Sequence, residues 1–114
     1  MKVKGLVEKH LGRGRDLGFP TANLNVKTDL EEGIYLAKAE GLPAMAFVGS
    51  AITFGDTKKV FEVYILDFAE DLYGKEIEVE MIKKIRDNKK FNSKEELVLQ
   101  MKSDEQVARE YFKL

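Results

Sequence analysis

Three groups of residues in this 114-residue chain have types and spacings that could do chemistry. The first is the stretch GRGRDLGFPTANL, Gly12 to Leu24, whose first nine residues hold three glycines, two arginines and a proline. Gly12, Gly14 and Gly18 can take backbone angles closed to other residues, so successive amides can converge on an anion, with Arg13 and Arg15 adding charge. The same composition suits a solvated surface loop, and the G-x-x-x-x-G-K-[ST] phosphate loop is absent. The second group is Thr21 and Asn23, which share one face of a strand while Ala22 and Leu24 take the other. A hydroxyl and a carboxamide oxygen are hard, neutral ligands, suited to a magnesium ion that draws most of its charge compensation from nucleotide phosphates. Otherwise they are two polar residues opening an edge strand. The third is Glu62 in the run VFEVYILDF, sharing a face with Tyr64 and Leu66 and backed by Phe61, Val63 and Ile65. A positioned carboxylate there could take a proton from a hydroxyl attacking a γ-phosphate, although the commoner fate of a strand Glu is to face solvent.

Residues so far apart in sequence need a scaffold that brings strands together. The first two thirds of the chain alternates short apolar-patterned runs with Gly, Asp and Asn punctuation. The expected strands are Val3 to Val7, Thr21 to Val26, Ile34 to Ala39, Ala44 to Val48, Val60 to Asp67 and Ile77 to Lys83, a number suited to a small closed barrel. The last third changes period. Ser93-Lys94-Glu95-Glu96 is a capping box that predicts a helix start, with Leu97 and Met101 one turn apart. A second start is expected at Ser103, followed by Val107, Ala108, Tyr111 and Phe112 on one face. The expected architecture is mainly β, a small closed β-barrel of about six strands with C-terminal α-helices, in a single domain over 1–114.

Composition narrows the function. The chain has no Cys and no Trp, with 44% hydrophobic and 34% charged residues, the profile of a soluble domain without disulfides or a thiolate metal site. A cytoplasmic setting is the default. Lys+Arg 19 against Asp+Glu 20 gives a formal net charge of -1, which argues against a nucleic-acid coat. A nucleic-acid role would have to rest on Arg13, Arg15 and the Lys83-Lys84 and Lys89-Lys90 pairs, which read more simply as solvated surface. No apolar run approaches the roughly 20 residues of a membrane span, and no signal peptide is apparent. His10 and the four Met residues read as structural.

Taken together, GRGRDLGFPTANL, Gly33-Ile34-Tyr35, FEVYILDFAEDLYGKEIEV and KIRDNKKFNSKEELVLQM resemble the riboflavin kinase (flavokinase) family in order and spacing over nearly the whole chain. The resemblance implies a Greek-key barrel that transfers the γ-phosphate of ATP to the ribityl 5′-hydroxyl of riboflavin, giving FMN and ADP, with Mg2+ as helper ion. By matched position it places Thr21 and Asn23 at a metal and phosphate site and Glu62 as the catalytic carboxylate. Gly12, Arg13, Gly14, Arg15, Gly18 and Pro20 fall on a nucleotide-covering flap. Arg86 and the Lys90-Phe91 pair fall in a segment closing over substrates, and the following helix, with Leu97, falls on the flavin side. A monomer is expected, with riboflavin and ATP as its partners and neither nucleic acid nor membrane.

The chain departs from the family pattern in places. Where many bacterial relatives carry A-N-I-G-x-R-P-T-F it has Ala46-Phe47-Val48-Gly49-Ser50-Ala51-Ile52-Thr53-Phe54. Tyr64 stands where His is frequent, His10 where Gly is frequent, and Asn88 where an acidic residue is usual. With a single His and no H-x-G-H-type motif, FAD synthesis is not expected of this chain, and its Met start fits a whole product. The alternative of a different class is a flavin-binding module of the same fold that no longer phosphorylates.

Overall fold

A computed structural model describes residues 1–8, 22–25, 30–53, 56–68 and 72–114. Its strands are β1 (Lys2–Glu8), β2 (Ala22–Asn25), β3 (Gly33–Ala39), β4 (Leu42–Thr53), β5 (Asp56–Ile65) and β6 (Glu76–Arg86), followed by one helix, α1 (Lys94–Phe112). The strands close into a barrel in the order β1-β2-β5-β4-β3-β6, every pair antiparallel. β3, β4 and β5 follow one another as neighbours, while β6 returns to lie beside β3, which is Greek-key connectivity. All six expected strands are present; β4 and β6 run beyond the expected bounds, and β5 begins earlier, at Asp56, and ends at Ile65 rather than Asp67.

Alternation decides what fills the barrel. On β1, the odd residues Val3 and Val7 point inward while Lys2, Lys4 and Glu8 are exposed. Inside, Val3, Val7, Leu24, Phe61, Val63, Ile65, Ile77 and Val79 meet a floor of small residues on β3 and β4. Ala37 pairs with Ala44 and Tyr35 with Ala46, so the small residues of β3 and β4 leave room for the larger side chains and the narrow interior is filled without overpacking. β6 bends past β3 through two register shifts, between Ile34 and Tyr35 and between Leu36 and Ala37. Gly33 permits the approach: its φ is +153, and a Cβ there would lie 2.6 Å from the Arg86 carbonyl oxygen.

The helix lies against the outer face of the barrel, where Leu36, Met45 and Leu66 pack with Ala108, and Tyr64, Ile82, Ile85 and Phe112 surround them. Ser93 caps it, its Oγ accepting the Glu96 N–H at 3.2 Å. Glu96 reaches back one residue further than the expected box, accepting from the Asn92 N–H at 3.0 Å. Ser93→Ala is expected to lower stability by about 1 kcal/mol, measured by urea unfolding with an unchanged m-value.

The expected second helix start at Ser103 is not there; α1 runs through it. Asp104, which would have helped cap a new helix, is turned toward Arg86 and Gln100 instead. The expected single face of Val107, Ala108, Tyr111 and Phe112 is also corrected. Ala108 and Phe112 face the barrel, while Val107 and Tyr111 are exposed, because four residues at that spacing wrap more than one side of a helix.

Candidate active site

Antiparallel register brings the sequence candidates into one row. Glu8 of β1 pairs with Asn23 of β2, and Asn23 pairs with Glu62 of β5. Glu62 then pairs with Phe47 of β4, Phe47 with Ile34 of β3, and Ile34 with Arg86 of β6. Directly opposed residues share a face, and since Leu24, Phe61, Val63 and Val48 point inward, this row runs across the outside of the barrel. Neighbouring strands are about 4.8 Å apart, so Asn23, Glu62 and Phe47 cover roughly 10 Å of surface, the scale of a phosphate joined to a short chain and a ring.

Asn23 is buried, 7% exposed, and its Nδ2 has no hydrogen-bond partner among the described residues. A buried amide without an acceptor costs roughly 1–3 kcal/mol, so this donor is suited to a ligand oxygen. The carboxamide also offers a neutral oxygen of the kind a hard divalent cation accepts. Among the described residues no three His, Cys, Asp or Glu side chains cluster to hold an ion by themselves. The Asn23 carboxamide oxygen fits a hard divalent cation as one neutral ligand among others.

Glu62 is half-buried on the outer face, as its alternation with Phe61 and Val63 requires. Tyr64, two residues on along the same face, donates its hydroxyl to Glu105 Oε1 of α1 at 2.7 Å. Burial, reinforced by that carboxylate, pushes the Tyr64 phenol up to about 12, so it stays a neutral donor near neutrality. Arg109 extends the latch, meeting Glu105 at 3.4 Å and Asp67 through two hydrogen bonds of 2.7 and 3.1 Å. Arg109 holds the Asp67 carboxyl below its ordinary value of 3.8. A folded-state pKa that is lowered adds stability above the unfolded value and loses it as pH falls through the folded one. The Tm gap between wild type and Asp67→Asn is thus expected at neutral pH, should begin to narrow as pH falls below 3.8 and should close once pH has passed the lower folded value. Asn suits the left-handed φ of 56 at this position.

Arg86 is placed at the far end of the row, but its guanidinium fork is bound to Asp104, Nε to Oδ1 at 2.8 Å and Nη2 to Oδ2 at 2.7 Å. Phe91 and Leu97 are half-buried in the connection after β6 and the first turn of α1, with Lys89 Nζ 5.9 Å from the Phe91 ring centroid. Gly12, Arg13, Gly14, Arg15, Gly18, Pro20 and Thr21, and His10 with them, lie outside the described residues. Sequence reasoning missed Glu8, an isolated strand-end carboxylate until register sets it beside Asn23. It also missed Asp104. The available signal was an acid on the apolar stripe Leu97, Met101, Asp104, Ala108, Phe112.

A cleft of about 350 Å³ lies elsewhere, lined by Lys4, Lys38, Glu40, Glu76, Glu78 and Glu80 of β1, β3, β6 and the β3–β4 turn. Four carboxylates against two lysines repel a polyphosphate, and Lys4 already meets Glu78. That cleft includes none of Asn23, Glu62 and Phe47.

The class so defined is a six-stranded antiparallel Greek-key barrel with a helix latched to its outer face beside a polar cross-strand row. Comparison with known proteins places it further. The flavokinase family model, described as riboflavin kinase, matches residues 1–112, and the chain belongs to the riboflavin kinase family. The bifunctional riboflavin kinase/FMN adenylyltransferase of Escherichia coli K12 is 40% identical over 89% of this chain and 34% of its own length. The Listeria monocytogenes protein of the same name is 41% identical over 96% of this chain and 38% of its own. The chain thus spans little more than a third of these relatives. Among solved structures, a Streptococcus pneumoniae chain described as a macrolide-efflux protein superposes with a TM-score of 0.84 at 39% identity, over 95% of this chain and 38% of that one. Trypanosoma brucei riboflavin kinase shares the fold, with a TM-score of 0.68 at 24% identity over 98% of this chain and 76% of that one. Among the described residues no helix is long and apolar enough to cross a membrane.

Proposed function

We propose that this chain is a riboflavin kinase, transferring the γ-phosphate of ATP to the 5′-hydroxyl of riboflavin to give FMN and ADP. The observation that carries the reading is the Asn23–Glu62–Phe47 register, which sets a buried donor, a carboxylate and an aromatic ring side by side on one face. Family membership supports it independently.

In this reading Asn23 Nδ2 donates to a phosphate oxygen, and Asn23 with Thr21 holds Mg2+. When bound, the ion neutralises charge on the phosphates. Glu62 accepts the hydroxyl proton as the oxygen attacks phosphorus, so one proton is released for each FMN formed. Gly12, Arg13, Gly14, Arg15, Gly18 and Pro20 serve as the cover over the nucleotide. Phe91 and Leu97 supply apolar surface for the flavin ring, beyond Phe47 and away from the phosphates. The chain acts as a cytoplasmic monomer.

Incubation with riboflavin, ATP and Mg2+, followed by chromatographic separation of flavins and nucleotides, tests this. FMN and ADP are expected in equal amounts, and EDTA should stop both. ATP consumption without FMN would defeat the reading, and riboflavin binding without either product would favour a non-catalytic flavin-binding module.

A further inference from the structure

We propose that Asp104 is a positioning residue for the ring side of the site, acting through Arg86 to hold the segment after β6 against β4. This rests on the riboflavin kinase reading above. Asp104 is only 5% exposed, and a buried carboxylate is tolerated when its oxygens are paired. Both oxygens accept from Arg86, and Gln100 Nε2 adds a third bond at 3.0 Å. The remaining arm of the same guanidinium turns the other way, Nη1 donating to the Asp87 carbonyl at 3.0 Å. One planar fork therefore fixes both the helix and the first residue beyond β6, which the point charge of a lysine could not do.

The next residue carries the placement onto the row. Asn88 Nδ2 donates to the Val48 carbonyl at 3.0 Å, between Phe47 and Gly49. A Cβ at Gly49 would sit 2.6 Å from the Phe47 ring and 3.6 Å from Asn88 Nδ2, so the absent side chain leaves room for the ring beside the carboxamide's place on β4. Because the Val48 carbonyl demands a donor, the amide has one orientation, and Asn88 Oδ1 is left buried with no partner among the described residues. The segment then leads to Phe91 and Leu97. Three of the five N–H groups of Arg86 are engaged in holding α1 and Asp87, which fixes where the guanidinium lies.

Steady-state kinetics of Asp104→Asn, Asn88→Ala and the double variant test this. Each single change should raise the KM for riboflavin at least about fivefold, with kcat and the KM for ATP within about twofold. The double variant should be no worse than the worse single, because both act along one chain of contacts. A purely structural role would lower the amount of folded enzyme and leave both KM values alone. If Asp104→Asn does not fold, Arg86→Lys keeps the charge, loses the fork and should give the same signature. An unchanged riboflavin KM in the folded variants, or additive effects in the double, would overturn the proposal. Riboflavin affinity from flavin fluorescence quenching reads the same contacts without turnover. Wild type that binds no riboflavin overturns the functional reading too, whereas wild-type binding that all variants retain overturns the positioning role alone.

Discussion

Glu62→Gln is expected to slow FMN formation by about 10²–10⁴-fold, the range over which a positioned general base contributes. Gln keeps the size and the half-buried place of Glu62 opposite Asn23 and Phe47 but cannot accept the proton. Riboflavin affinity and thermal unfolding should stay near wild type, since the substitution leaves the inward side chains of β5 untouched. Rapid-quench measurement of a single turnover checks the chemical step directly. A Glu62→Gln protein with undiminished single-turnover rate would remove the carboxylate from its role as base.

One residue earlier, the opposite outcome is expected. Phe61 is 1% exposed and among the largest fully buried side chains of the barrel. It sits between Leu24 and Val48 in register, and truncation leaves a cavity that a closed sheet cannot collapse to fill. Phe61→Ala should cost about 3–5 kcal/mol, a large share of the stability of a domain this size. Calorimetry should show Tm falling by more than about 10 °C. Folded Phe61→Ala enzyme at low temperature should still bind riboflavin, because the lost side chain points away from the row. Phe61 and Glu62 separate fold from chemistry by a single step of strand alternation.

That alternation is why so much was legible beforehand. The inward set Phe61, Val63 and Ile65 and the outward set Glu62, Tyr64 and Leu66 follow from a period of two, and both sets stand as read. Ser93 as a cap was equally plain, since its oxygen answers a local need for an acceptor. What could not be read was long-range register. Nothing local places Glu8, Asn23, Glu62 and Arg86 on one row, because that depends on how six strands close. Ser103 misled for the same reason: it has local cap chemistry, but Arg86, 18 residues from Asp104 in sequence, engages the neighbouring carboxylate and the helix continues. The pairing of Arg86 with Asp104 on α1 was likewise invisible before the strands and helix were placed.

In the proposed kinase, nucleotide and metal meet the chain at the Asn23 end of the outer row. The most direct measurement is paramagnetic broadening of backbone and side-chain amide NMR signals by Mn2+ added with a non-hydrolysable ATP analogue. The Asn23 side-chain amide and the backbone amides of Asn23 and Glu62 should broaden first, while Gly41, Ile77 and Glu78 at the acidic cleft stay sharp. Broadening centred on Gly41 and Ile77, with Asn23 unaffected, would rule out Asn23 as the place where nucleotide and metal bind.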